Sequence, residues 1–175
     1  MICKASPADP SPELVEGGEC ELSGGDVITE TVADFGTDRP PAGFRPLLGR
    51  AEVEMVAGPF YERRTAGGQW QLGFRVTPRK LNRMGVCHGG VLAVFADIQG
   101  SALKKSLDLV AESPTVTLGI DYAAPAHAGA WVQSRPELVR QTATLLFFHA
   151  LFYADDTLCA RASGIYYLSS RRLDV

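Results

Sequence analysis

Hydrophobic and polar positions divide this chain into stretches with different periods. From Met1 to about Pro41 there is no hydrophobic period, and Pro, Gly, Ser and acidic residues dominate, as in SPADPSPELVEGGECELSGGD. Such a segment buries too little apolar surface to offset chain entropy. Residues 1–41 are therefore expected to be a flexible tail, with Val27 to Phe35 the one short piece that reads as ordered, and residues 42–175 the folded domain. Phe44, Leu47 and Leu48 have the spacing of one helical turn. Gly58 to Arg64 and Gln69 to Thr77 read as two strands joined around Gly67-Gly68. The segment LNRMGVCHGG has glycines and no period, so it reads as a loop.

Gly90 to Leu107 is the strongest helix prediction. Val91, Leu92, Val94, Phe95, Ile98, Leu103 and Leu107 cover more than one stripe, as in a helix buried on most sides. Lys104 and Lys105 near its end complement the helix dipole. In TVTLGIDY, Val116, Leu118, Ile120 and Tyr122 alternate with polar or small residues, a strand with one buried face. Trp131 to Gln141 follows, its Pro136 suggesting an edge or a bulge. Thr144 to Ala154 and Leu158 to Ser169 are two more strands about the turn Asp155-Asp156-Thr157. Strands joined by short turns make an antiparallel sheet. An antiparallel β-sheet wrapped around one long central helix is an α+β architecture, the hotdog fold.

Composition narrows the function. A length of 175 residues with 46% hydrophobic content suits one folded core. A net charge of −3 argues against a general nucleic-acid binder, while leaving room for a local basic pocket. Cys3, Cys20, Cys87 and Cys159 form no CxxC pair and read as reduced thiols in a cytoplasmic protein. His88, His127 and His149 do not sit at ligand spacing with them, so no metal site is expected. No run is apolar enough to span a membrane and the N-terminus lacks an apolar signal core, so no membrane partner is expected.

The candidate chemistry lies in Asn82-x-x-Gly85-x-x-His88-Gly89-Gly90, followed by Asp97 within the helix. A carboxylate among Phe95, Ala96 and Ile98 is costly unless paired or functional. It is either a general base or nucleophile, or one half of a salt bridge to a distant arginine. Gly89 and Gly90 open the helix, whose first N–H groups lack internal partners and favour developing negative charge. The plainer reading is a glycine turn. His88 either donates to a substrate or holds the loop, and Asn82 either positions a water or caps a turn.

Together these residues resemble the signature of the PaaI-like (phenylacetic-acid-pathway) branch of hotdog thioesterases, which includes the THEM-type enzymes. The acid falls where that pattern has it, nine residues past the histidine (97 − 88). TVTLGIDYAAP resembles the family's strand after the helix, and CARASGIY its last strand; the likeness spans Phe44 to Ser169. It implies hydrolysis of acyl-CoA thioesters, with Asp97 activating a water or attacking the carbonyl, and the Gly89 amide polarising it. His88 would support the thioester, Asn82 would orient the water, and Thr115 would stand beside the acid. It further implies shared active sites, Asp97 and Thr115 from one chain and Asn82, His88 and Gly89 from its partner, in a homodimer that pairs into a dimer of dimers. Hydrolysis of a thioester needs no cofactor, CoA being part of the substrate. Gly90, Arg83 and Tyr122 are expected to touch substrate, with Leu92 and Phe95 as further pocket candidates. Arg79, Lys80, Arg83, Arg171 and Arg172 are candidates for the CoA phosphates. The alternatives are a hotdog enoyl-CoA hydratase or dehydratase, which uses a different Asp–His spacing, and a non-catalytic acyl-CoA-binding protein.

Overall fold

The computed structural model describes residues 38–110 and 113–169. Most of the expected tail, Cys3, Cys20, Arg171 and Arg172 lie outside the described residues. The chain forms β1 (Arg45–Pro46), α1 (Glu52–Ala57), β2 (Tyr61–Arg64) and β3 (Trp70–Arg75). A single 3-10 turn, Pro78–Lys80, leads towards α2 (Gly89–Asp97) and α3 (Gln99–Ser106). Then come β4 (Thr115–Tyr122), β5 (Trp131–Gln141), β6 (Leu145–Ala154) and β7 (Thr157–Tyr167). All seven strands form one sheet in the order β1-β2-β3-β5-β6-β7-β4. Every pairing is antiparallel, so the expected α+β architecture is what folds.

Strand parity builds the core. On β6, Leu146, Phe148, Ala150 and Phe152 are buried while their odd-numbered neighbours face outward. On β7, Ala160, Ala162 and Tyr166 are buried in the same way. Phe95 of α2 is fully buried, its ring 5.6 Å from Phe60, 4.9 Å from Phe74 and 5.1 Å from Phe152. These aromatic contacts lock the helix against the sheet.

Several expectations are corrected. Phe44 to Leu48 is no helical turn: Arg45 and Pro46 pair with Glu62 and Tyr61, and the Leu47 N–H bonds to the Phe60 carbonyl. Strand pairing outweighs the local spacing of Phe44, Leu47 and Leu48. Pro136, expected at an edge or a bulge, lies in the interior strand β5, but beyond its pairing with β3 and two residues before a register shift. It is tolerated because β3 is registered on β5 only from Trp131 to Gln133, and the β5–β6 register shifts between Leu138 and Arg140. The TVTLGIDY strand is one edge of the sheet, β1 being the other, and its apolar set is not fully buried within the chain: Leu118 and Ile120 are half-buried, Val116 and Tyr122 exposed.

The long helix is two segments joined at Ile98. At the joint the Gly100 N–H leaves the helical ladder and donates to the Tyr166 hydroxyl (2.9 Å). That hydroxyl donates in turn to the Asp97 carbonyl (2.8 Å), and the Ser101 N–H takes the Ile98 carbonyl (3.0 Å). A buried tyrosine thus substitutes for a turn of backbone bonding.

Candidate active site

The Asn82–Gly90 segment is a set of interlocking turns. The Asn82 Oδ1 accepts from the N–H groups of Met84 (2.9 Å) and Val86 (3.3 Å), and its carbonyl accepts from Gly85 N–H (3.0 Å). Gly85 has φ +75, a left-handed conformation that favours glycine. So the N-x-x-G spacing encodes a tight turn. The Asn82 side-chain NH2 is left without a partner among the described residues.

His88 is the N-cap of α2, and its Nδ1 accepts from the Gly90 N–H (2.9 Å). An accepting Nδ1 puts the proton of the neutral ring on Nε2, which is then a donor. The cap occupies Gly90 and leaves the Gly89 N–H without a partner among the described residues. The Tyr122 hydroxyl donates to the Gly89 carbonyl (3.0 Å), and its ring lies 3.3 Å from where a Cβ on Gly89 would stand. A cleft of about 410 Å³ brings Asn82, Met84, Gly89, Leu92 and Tyr122 together.

Asp97 differs from its expected setting. It ends α2 and is exposed in the single chain, not enclosed among apolar neighbours. Phe95, Ala96 and Ile98 beside it are buried, while Asp97 itself is exposed. The Thr115 hydroxyl donates to its Oδ1 at 2.5 Å, and no arginine pairs with it among the described residues. Asp97 and Thr115 line a second cleft of about 290 Å³ with Arg50, Glu54, Ser101 and Tyr166. Burial keeps the Tyr166 phenol protonated, well above its ordinary range.

The sequence-predicted residues therefore fall into two groups within one chain. Asn82, His88, Gly89, Gly90 and Tyr122 cluster at the start of α2, with Arg83 exposed in the turn beside them. Asp97 and Thr115 are at the other end of that helix. Eight residues separate Gly89 from Asp97 (97 − 89), about 12 Å of helix at ~1.5 Å per residue.

Two expectations for pocket residues change. Lys80 is no contact for a phosphate: it is 3% exposed, and its ammonium donates to Thr77 Oγ1 and lies over the Phe74 ring. Burial lowers its pKa, and its carbonyl accepts the His88 N–H (2.7 Å), so it anchors the loop. Phe95 is core, as described above. Cys87, inside the motif, is no nucleophile: burial, with a contribution from Cys159, pushes its thiol up to about 12. Tyr166, Arg50 and Glu54 were not anticipated. The parity of CARASGIY, which puts Tyr166 on the same face as Ala160 and Ala162, was the available signal for the first. The i, i+4 spacing of opposite charges was the signal for the other two.

A hotdog domain with a glycine-opened central helix, and a carboxylate eight residues further along it, defines a class of protein that comparison bears out. The Thioesterase superfamily model matches residues 84–160. The Pseudomonas aeruginosa protein named "Putative esterase PA0474" is 30% identical over 129 residues, 73% of this chain and 96% of that protein. The chain belongs to the thioesterase superfamily. Among solved structures, zebrafish thioesterase superfamily member 2 aligns with a TM-score of 0.60 at 23% identity, over 69% of this chain and 88% of that one. The Escherichia coli PaaI protein of the phenylacetic acid degradation operon aligns with a TM-score of 0.57 at 20% identity, over 65% and 86%. A Bacillus halodurans protein crystallised with CoA aligns with a TM-score of 0.57 at 20% identity, over 63% and 74%. These likenesses establish the shared fold. No helix of the described residues is long and apolar enough to cross a membrane.

Proposed function

We propose that the protein hydrolyses acyl-CoA thioesters, in the manner of the PaaI-like branch, at sites composed from two chains. The observation that carries this reading is the separation of the two half-sites along one helix. An open amide at Gly89 and a carboxylate at Asp97, about 12 Å apart, cannot act on one carbonyl group. Two copies related by a two-fold axis, with their α2 helices antiparallel, would place each Asp97 opposite the other chain's Gly89. The open β4 edge, with Val116 and Tyr122 exposed, and the half-buried Val91 and Val94 of α2 support such a pairing. A CoA-bound structural neighbour and an esterase-named relative support the substrate and reaction class.

In this site the thioester oxygen sits at the Gly89 N–H, which stabilises the charge that builds there during attack. The His88 Nε2–H supplies a second donor. The side-chain NH2 of Asn82 orients a water, and Asp97, held by Thr115, takes its proton as the oxygen bonds to the carbonyl carbon. The tetrahedral adduct collapses with breakage of the C–S bond, and the proton leaves with CoA as its thiol. Exposed Arg79 and Arg83 are the described cations that remain for the CoA phosphates.

Asp97→Ala is expected to lower kcat for a saturated acyl-CoA by several orders of magnitude with the oligomer intact by sedimentation. Release of free thiol at the wild-type rate would overturn the assignment. Turnover of a saturated substrate by the wild type also separates this reading from a hydratase, which needs a double bond, and from a binding protein.

A further inference from the structure

The short helix α1 is built inside out. Its apolar side chains Val53, Met55 and Val56 are 63%, 61% and 86% exposed, and nearby Leu48 is 82% exposed. Its charged Glu54 turns inward to an ion pair with Arg50, and both line the Asp97 cleft. No residue of the helix is buried. A surface helix of a lone domain does the reverse, facing its apolar stripe to the core. Exposed apolar side chains gathered on and beside one short element mark a contact surface.

We infer that α1 is a docking surface for a second copy of this chain, and that its occupant is the partner's Asn82–Val86 turn. The inference rests on the composite site proposed above. If a partner's Gly89 approaches the Asp97 cleft, the turn preceding that glycine arrives with it. That turn carries Met84, 80% exposed, and an exposed Arg83. Within one chain Met84 lines the Gly89 cleft, as Glu54 and Arg50 line the Asp97 cleft. The two surfaces are complementary in kind. Met84 meets Val53 and Val56, and Arg83 meets the exposed Glu52 at the first turn of α1. The contact closes the open side of the composite site, covers the Arg50–Glu54 wall and excludes water from the thioester. In this contact Arg83 is engaged by Glu52, which leaves Arg79 as the described candidate for the CoA phosphates.

Cross-linking tests the contact directly. In a background of Cys3→Ser and Cys20→Ser, chains carrying Val56→Cys are co-expressed with chains carrying Met84→Cys and treated with a short bismaleimide. A covalent dimer is expected from the mixture, in up to about half of the dimers since half are mixed pairs, and from neither chain alone. An intact, active dimer that does not cross-link would overturn this contact and leave the composite site standing. A monomer that hydrolyses acyl-CoA at full rate would sink both. Charge exchange gives the second readout. Arg83→Glu and Glu52→Arg are each expected to lower kcat/KM several-fold, and the double variant to recover most of it. Failure of the second change to rescue the first is the outcome expected of an arginine that only binds CoA phosphate, and would refute the pairing.

Discussion

At the scale of single residues, the motif that reads as chemistry is also local architecture. The oxygen of Asn82 organises its own turn, Gly85 supplies a left-handed backbone, and His88 caps a helix. The turn at Asn82 and a local holding role for His88 were legible as the plainer readings of those residues, because they follow from side-chain reach within a few positions, whereas the positive φ of Gly85 was not read. Their other halves, the Asn82 NH2 and the His88 Nε2–H, are what remains for a substrate. Gly85→Ala is expected to cost about 1 kcal/mol from its positive φ, read as a lower urea midpoint at unchanged slope. The exposure of Asp97 was not legible. Its neighbours in sequence are apolar, but which way a side chain leaves a helix depends on where the sheet lies. The partner it does have, Thr115, entered through the family resemblance and is found at 2.5 Å. Thr115→Val keeps the shape and removes the donor. It is expected to lower kcat roughly tenfold, while Thr115→Ser retains activity, because the hydroxyl aligns the carboxylate. Equal kcat in the valine variant would remove Thr115 from the site.

At the scale of elements, alternation and helical stripes located the four longest strands, and the span of α2 and α3 as one helix, to within a few residues. Period two survives in β6 and β7 because one face of each lies on the core. The same period in β4 marks a different fate: an edge whose apolar set is covered only in part by its own chain. The helix α1 went unread because six residues, EVEMVA, hold too short a pattern and face their apolar groups outward. The interruption at Ile98 went unread because its cause is remote. The hydroxyl of Tyr166, 66 residues beyond Gly100, takes that glycine's N–H and gives its own proton to the Asp97 carbonyl. A Cβ at Gly100 would stand 2.9 Å from the same ring, so glycine is needed for the approach. Tyr166→Phe takes the partner from the buried Gly100 N–H and from the part-buried Asp97 carbonyl. It is expected to destabilise the fold by about 1–3 kcal/mol in denaturant titration and to lower kcat by shifting Asp97. A variant of native stability would show that water or the helix itself replaces the phenol.

At the scale of the whole molecule, a site divided between copies makes activity a property of the assembly. A chain with Asp97→Ala and a chain with both Asn82→Ala and His88→Ala each lack one half-site in every pairing with themselves. A mixed dimer restores one complete site. Co-expression is expected to recover about a quarter of wild-type activity per chain, half the dimers being mixed and each holding one intact site of two. No recovery in mass-verified mixed dimers would mean that each site is drawn from one chain. The sequence by itself determined the sheet, the buried helix, the glycine opening of that helix and the residue types at its two ends. Those features follow from period, turn chemistry and capping, which act over a few residues. Only the tertiary structure decided that Lys80 is buried, that Tyr166 breaks the helix beside Asp97, and that α1 turns its apolar face outward. Each of these depends on which element packs alongside, the Tyr166 strand at the helix joint, the Phe74 strand over Lys80 and α2 behind α1, and packing between elements leaves no local period to read.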